Sequence, residues 1–246
     1  MDIRDPAAGV AEQRTALAAL LRSPLFELIP LRDALERAEA LPPGSATTVT
    51  ASPSHGIEAT IDLCEGLTGS GHDATPHLAA HMFRDRAHLA EVLDRCRDVG
   101  LRSAFVIGGD AKDRGELHDG LALLRAMDEL GHPFRSVGVA GYPEGHPAIP
   151  EEQLTAALLE KQASAASITT QMTFDGEAIA GWVRTIRAAG VTLPVVVGVT
   201  GAVRVRRLVR VASRIGVGGS LRYLRKNRQL LQLLVRRTYA ADRLLR

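Results

Sequence analysis

The sequence alternates between short apolar runs and longer segments with helical periodicity, and this order constrains the fold more than any other feature. Most of the runs do not alternate strictly between apolar and polar residues, as expected for parallel strands buried on both faces. The clearest helical segment is 85–100, which ends at a glycine, the residue type most common just after a helix. The apolar runs are 25–29, 47–50, 74–79, 104–107, 137–140, 168–171 and 195–199.

The repeated β-then-α order predicts an α/β protein with a TIM (β/α)8-type barrel. The chain has 246 residues, close to the roughly 250 typical of this barrel. We expect a single barrel domain over 1–246, because no Ser-, Pro- or Gly-rich linker divides the chain. A doubly wound open sheet is the alternative architecture. After Val199 the patterns are helical and no further apolar β run occurs, so the eighth strand is expected to be missing or atypical.

Composition predicts a soluble, cytoplasmic protein. Hydrophobic residues make up 46% of the chain, enough for a core. No apolar stretch approaches the roughly 18 residues that a membrane-spanning helix needs, so no membrane partner is expected. The two cysteines, Cys64 and Cys96, are too few for a zinc motif and lie in helical patterns. We therefore expect buried free thiols and no metal site.

Positive charge is concentrated at the C-terminus. Residues 202–246 hold thirteen Arg or Lys and one acid, which gives this segment a formal charge of +12. Because the net charge of the chain is +2, residues 1–201 carry −10. We expect a basic helical segment at about 202–246, either as a solvated face or as a source of attraction for an anionic ligand such as a dinucleotide. Nucleic acid is not expected as a partner, since only 4% of residues are aromatic and no nucleic-acid motif occurs.

Polar side chains stand where the apolar runs end. In a parallel barrel, the carboxyl ends of all strands open onto the same face, where catalysis is normally found. This placement predicts an enzyme. The residues are Glu27, His77, Asp110, the cluster Tyr142, Glu144 and His146, and Gln171.

Four motifs resemble the methylenetetrahydrofolate reductase family in order and approximate spacing. They are Thr-Pro-His-Leu at 75–78, Val-Ile-Gly-Gly-Asp at 106–110, Val-Ala-Gly-Tyr-Pro-Glu-Gly-His-Pro at 139–147 and Thr-Gln-Met-Thr-Phe-Asp at 170–175. The motif at 141–147 is the most specific of the four. The resemblance implies a barrel that reduces the methylene bridge of 5,10-methylenetetrahydrofolate to a 5-methyl group, usually through bound FAD and a nicotinamide donor.

The resemblance also implies roles in folate chemistry. The segment 26–30 is similar to the family's first strand, whose glutamate is the proposed general acid, and this makes Glu27 the catalytic candidate. N10 of the folate has to be protonated as the five-membered ring opens, and a desolvated carboxyl group can hold its proton near neutral pH. Asp110 and Gln171 fall on folate-binding positions. The alternatives are a salt-bridged Glu27, a helix-capping Asp110 and a Gln171 amide that ties two loops.

The cofactor candidates are His77, Gly109, Tyr142, His146 and Lys161. His77 falls on a flavin-contacting position, with a core histidine as the alternative. Tyr142 and His146 are interpreted as ligand contacts, although their loop can equally be structural, the role assigned to Glu144. Lys161 is offset by one residue from the family's flavin-binding lysine.

The cofactor region also departs from the family's flavoenzymes. Their usual Leu-Arg-Gly-Asp is Ile-Gly-Gly-Asp at 107–110, so a phosphate-binding cation is missing, and an arginine at position 109 is expected to restore it. The chain resembles a flavin-independent branch of the family known from actinobacteria, through Thr-Ala-Ser-Pro-Ser-His-Gly at 50–56, Gly-Gly-Asp at 108–110 and Gly-Val-Gly-Gly-Ser-Leu-Arg-Tyr-Leu at 216–224. That resemblance implies NADH or NADPH as direct hydride donor to the folate, with FAD not expected.

Other functions stay open at this point. They are an FAD-dependent reductase of the same family, a non-catalytic folate-binding or partner subunit, and a folate-dependent methyltransferase. A glutamate at position 27 favours proton transfer over binding alone.

Overall fold

The structure, a computed structural model, describes residues 15, 18, 22–109, 115–173, 175–199, 203–204 and 238–239. The described parallel strands are β1 (Leu25–Leu28), β2 (Ala46–Val49), β3 (Asp73–Ala79), β4 (Ser103–Ile107), β5 (Ser136–Gly141), β6 (Ser167–Thr170) and β7 (Val195–Val196). The described helices are α1 (Ala34–Ala38), α2 (Gly56–Gly69), α3 (Arg86–Val99), α4 (Gly120–Leu130), α5 (Glu151–Lys161) and α6 (Gly176–Ala188), with a 3₁₀ turn at Ala80–Met82.

The seven strands follow the order of the chain, β1 to β7, with helices between successive strands. This confirms the predicted α/β class and the β-then-α order of a TIM-type barrel. The apolar runs predicted all seven strands to within three residues at each end. Among the described residues there is no eighth parallel strand.

The chain divides into two compact units. The β1 unit comprises Leu20–Ala140 and Glu160–Ser167, and the β7 unit comprises Met1–Ala19, Gly141–Leu159 and Ile168–Arg246. The expectation of one barrel domain over 1–246 stays a prediction.

The β1 unit is built on a parallel register from β1 to β5. Glu27 pairs with Thr48, and Thr48 pairs with Thr75. Paired residues of parallel strands point to the same face, and the residues before and after them point to the opposite face. The opposite face carries the apolar core, including Val49, Leu78 and, on the next strand, Val106, none of them more than 1% exposed.

The helix boundaries follow from local chemistry. The segment predicted as the clearest helix is α3, whose first turn is capped by Asp85, which accepts from the backbone N–H of His88 at 2.8 Å. Gly100 ends it in the left-handed conformation at φ 80°, which glycine adopts without steric cost. Asp119 caps α4 and Asp175 caps α6 in the same manner.

Both cysteines are buried and free, as predicted. Desolvation is the main cause that raises the pKa of each thiol, so neither has thiolate character at neutral pH.

Most of the basic segment 202–246 lies outside the described residues. The residues described there, Val203–Arg204 and Thr238–Tyr239, form short antiparallel strands with each other. At these four residues the segment is therefore extended, where a helix was predicted. No helix in the described part of the chain has the length and apolar character needed to span a membrane.

Gly141 tests how tightly the β7 unit packs. A Cβ at this position would lie 2.6 Å from the Trp182 ring and 2.7 Å from Ile168. We predict that Gly141→Ala destabilises the protein by about 1–3 kcal/mol, the usual cost of overpacking a core. The control is Gly181→Ala in α6, where the nearest atom, on Arg184, is 3.8 Å away. Because alanine favours the helix by up to about 1 kcal/mol, this control should be stabilising in urea unfolding. Equal effects of the two substitutions would contradict the packing described here.

Candidate active site

Glu27 lies on the face of the β1 unit that is opposite the apolar core. Its side chain reaches solvent, yet the protein atoms around the carboxyl group displace much of its water and raise its pKa above the ordinary value. Within the described residues no ion pair involves Glu27, and desolvation is the resolved cause of the shift. The salt-bridge alternative therefore has no support in the described part of the chain.

His77 lies on the same face as Glu27, because Thr75 is in the row of Glu27 and His77 follows two residues later. From the spacing of strands and residues, the two Cα atoms are roughly 11–12 Å apart. His77 is 8% exposed, and desolvation lowers the pKa of its imidazole to about 4. The ring is thus neutral at physiological pH and can offer an apolar surface or a neutral hydrogen bond, but no positive charge.

Phe105 completes this surface and was not predicted as a site residue. Its ring lies 4.6 Å from the His77 ring, centroid to centroid, at an interplanar angle of 52°. On its other side, a Cβ on Gly138 would lie 3.0 Å from the Phe105 ring. The glycine therefore makes room for the ring. The pairing of His77 with Phe105 and of Phe105 with Gly138 is a long-range register that no local motif records.

Lys161, a predicted cofactor residue, ends near the carboxyl end of β4, which Gly108 and Gly109 follow. The Lys161 ammonium and the backbone nitrogen of Gly108 each lie 3.5 Å from the point where a Cβ on Gly120 would be. The one-residue offset of the lysine thus does not prevent it from reaching this strand end. Burial lowers the pKa of Lys161, while Asp119 and the adjacent glutamate act in the opposite direction. A partly desolvated ammonium of this kind can bind an anionic group.

The expectation of an arginine at position 109 is wrong on steric grounds. Gly109 has φ 88°, and a Cβ there would lie 3.0 Å from the Cβ of Ala79. Any other residue would therefore be strained. Gly108 has an ordinary backbone conformation, and a Cβ there would meet nothing closer than 3.9 Å. The place for a family-like cation at this strand end is position 108.

Asp110 lies outside the described residues, and its predicted folate contact stays a prediction. The next described helix, α4, begins at Gly120. Its N-cap is Asp119, whose carboxylate accepts from the backbone N–H groups of Leu121 and Ala122 at 2.8 Å. The N-cap position of α4 is therefore occupied by Asp119.

In the β7 unit, the structure brings Tyr142, His146 and Gln171 to neighbouring strand ends. Gln171 directly follows β6, and its backbone N–H donates to the carbonyl of Gly141 at 2.8 Å. The rings of Tyr142 and His146 meet edge to face at 5.1 Å. Burial raises the pKa of Tyr142, so its hydroxyl stays protonated and can donate a hydrogen bond.

Glu144 has the structural contact expected for it. It accepts a short hydrogen bond from the hydroxyl of Thr173, which in turn accepts from the backbone N–H of Asp175 at 3.3 Å. Asp175 is the N-cap of α6. The bond from Thr173, a residue that sequence analysis missed, ties the loop of Tyr142 and His146 to the segment after β6.

A separate cleft of about 200 Å³ lies between α2 and α3 and contains none of the predicted site residues. The backbone N–H of Arg84 donates to Nδ1 of His88, so the proton of the neutral ring is on Nε2, which lies 3.1 Å from Glu58.

Among the described residues, no group of three or more His, Cys, Asp or Glu side chains is placed to hold a metal ion.

Replacing Glu27 tests its environment. A carboxyl group whose pKa is raised by folding is stabilising below its unfolded pKa, and that stability is lost as pH rises through the folded pKa. We predict that Glu27→Gln makes the protein more stable relative to wild type at neutral pH than at pH values below the ordinary pKa of glutamic acid. Urea unfolding across this range measures the difference, with Glu36→Gln on the exposed face of α1 as control. A difference that does not change with pH would contradict the raised pKa.

Comparison with known proteins gives three findings. The family model described as methylenetetrahydrofolate reductase matches residues 30–218, more than half of the chain. A "Probable methylenetetrahydrofolate reductase (NADPH)" of Caenorhabditis elegans is 28% identical over 177 residues, 69% of this chain and 26% of that protein. "Methylenetetrahydrofolate reductase 1" of Schizosaccharomyces pombe is 28% identical over 165 residues, 56% of this chain and 27% of that protein. The chain thus spans about a quarter of the length of these relatives.

Among solved structures, a putative lyase/mutase from Burkholderia cenocepacia J2315 aligns with a TM-score of 0.47 and 17% identity, covering 78% of this chain and 74% of that one.

Proposed function

We propose that this chain, which belongs to the methylenetetrahydrofolate reductase family, reduces 5,10-methylenetetrahydrofolate to 5-methyltetrahydrofolate with NADH or NADPH. The observation that carries the proposal within the family is Glu27, a carboxyl group that reaches solvent and has a raised pKa. Reduction of the methylene bridge needs an acid at N10, and Glu27 is suited to that role. The same proposal implies a cytoplasmic enzyme of one-carbon metabolism and a tetrahydrofolate substrate.

The proton transfer follows from the chemistry of the substrate. Protonation of N10 by Glu27 breaks the bond between N10 and the methylene carbon and leaves an iminium at N5. A nicotinamide nucleotide, when bound, supplies the hydride that converts this iminium carbon to the methyl group. Glu27 then regains a proton from solvent, which its exposure allows. In this scheme, Asp110 and Gln171 contact the folate, and Tyr142 and His146 contact a bound ligand.

The cation content of the β4 end supports direct reduction without flavin. Lys161 is a basic side chain placed there, and Gly108, the position of the family's arginine, has no side chain to hold a second phosphate contact. One charge-assisted hydrogen bond is worth roughly 1.5–3 kcal/mol, more than tenfold in affinity. The flavin-dependent reaction of the same family is the second candidate, and Lys161 would then contact the phosphates of FAD.

We expect the purified protein to oxidise NADH when methylenetetrahydrofolate is added and FAD is not, without flavin bands in its absorption spectrum. Glu27→Gln should lower kcat by about 10²–10⁴-fold, the usual contribution of a positioned general acid, and should leave the affinity for 5-methyltetrahydrofolate unchanged. The control is again Glu36→Gln. A yellow protein that needs flavin would favour the second candidate, and a parallel loss of binding and rate in Glu27→Gln would argue for a structural role.

The missing cation can be restored at position 108. We predict that Gly108→Arg raises the affinity for FAD by at least about tenfold, because an arginine there can pair with a phosphate beside Lys161. Gly109→Arg is the matched variant and should fold less stably without this gain, since its backbone and the Cβ of Ala79 leave no room. Flavin fluorescence quenching measures the affinity. Unchanged FAD binding by Gly108→Arg would place position 108 outside the cofactor site.

A further inference from the structure

His81 makes two hydrogen bonds to residues that are ten positions apart in sequence. It lies in the 3₁₀ turn that follows β3, and its backbone N–H donates to the carbonyl of Gly108 at 3.0 Å. Its ring Nε2 lies 2.7 Å from the carbonyl oxygen of His118. A carbonyl can only accept a hydrogen bond, so Nε2 carries a proton and donates it.

The two carbonyls mark the end of one element and the start of another. Gly108 directly follows β4, and His118 directly precedes Asp119, the N-cap of α4. His81 therefore ties both ends of the β4–α4 connection to the end of β3. Its own Cβ lies 3.6 Å from the point where a Cβ on Gly109 would be, so His81 lies directly beside this connection.

The Lys161 ammonium lies beside the two elements that His81 connects, the end of β4 and the start of α4. Gly120 is the first residue of α4. The point where a Cβ on Gly120 would be lies 3.5 Å from the Lys161 ammonium and 3.5 Å from the backbone nitrogen of Gly108. A shift of α4 relative to β4 would change the distance between this ammonium and the backbone N–H groups beside it. An anionic group bound at this point would contact both.

We propose that His81 is a positioning residue for dinucleotide binding. Through its hydrogen bond to His118 it fixes the start of α4 relative to the end of β4, and so keeps the Lys161 ammonium and the Gly108 backbone in one anion-binding arrangement. This inference rests on the proposed function, because it takes the ligand to be the pyrophosphate of a nicotinamide nucleotide.

The burial of His81 makes it suitable for substitution. The side chain is 8% exposed, and among the described residues no partner reaches its buried Nδ1. An unpartnered buried nitrogen opposes folding, so a leucine at this position removes that cost together with the hydrogen bond. A glutamine can place its amide nitrogen near the position of Nε2 and retain the bond. The two variants therefore separate the hydrogen bond from the packing.

His72 provides a matched control. It has the same 8% exposure and a buried Nδ1 without a partner in the described part of the chain, but it precedes β3 and thus lies at the amino end of the strand that His81 follows. A His72→Leu variant reports the general effect of removing a buried imidazole from the β1 unit.

The experiment is a calorimetric titration of wild type, His81→Leu, His81→Gln and His72→Leu with NADH and, separately, with FAD. We expect His81→Leu to weaken NADH binding by about tenfold, the scale of one lost hydrogen bond, while His81→Gln and His72→Leu stay close to wild type. Hydrogen exchange of the peptide that spans 115–124 should be faster in His81→Leu than in His72→Leu, without any ligand.

Three results would overturn the proposal. They are unchanged binding in His81→Leu, equal weakening in His81→Leu and His81→Gln, and equal weakening in His72→Leu. The reductase proposal is judged separately, on turnover by the wild type. A wild type that binds NADH without turnover would contradict the reductase alone. A wild type that binds FAD and not NADH would overturn both flavin independence and the role proposed for His81.

Discussion

The parallel register of β1 to β5 is the constraint on which the β1 unit depends. It puts Glu27 in one row with Thr48 and Thr75, and His77 in the next row with Phe105. Because side chains alternate between the faces of a strand, a slip by one residue would turn this whole set into the apolar core and expose the core in its place. The buried apolar face therefore fixes which side chains are available for chemistry. The orientation of Glu27 is therefore a consequence of how the core on the opposite face packs.

The elements of this fold were predictable because their signals are local. Gly100 and Asp85 mark the ends of α3 in the sequence as they do in the structure. Helix caps were harder to assign. The sequence offered Asp110 as an alternative helix cap, whereas the residue that caps α4 is Asp119, nine residues later. The missing cation was assigned to position 109, although the family's Leu-Arg-Gly-Asp, aligned with 107–110, places the arginine at 108. The left-handed backbone of Gly109 agrees with position 108.

The contacts that sequence analysis missed join residues far apart in the chain. Phe105 was not recognised beside His77, 28 positions earlier, because their pairing depends on the register of two strands. The hydrogen bond from Thr173 to Glu144 crosses 29 positions, and the bond from His81 to His118 crosses 37. Each is a single hydrogen bond or ring contact without a repeated pattern. A motif can name such a residue, but only the folded chain can name its partner.

Trp182 gives the β7 unit a property of practical use. It is the only tryptophan of the chain, it is 8% exposed, and its ring packs against Gly141 at the start of the loop that carries Tyr142. Indole emission from this protein therefore originates at one place, in surroundings shielded from water. A shift of the emission maximum or a change in fluorescence intensity therefore reports on that strand end without any label. The β7 unit thus contains an intrinsic fluorescent probe.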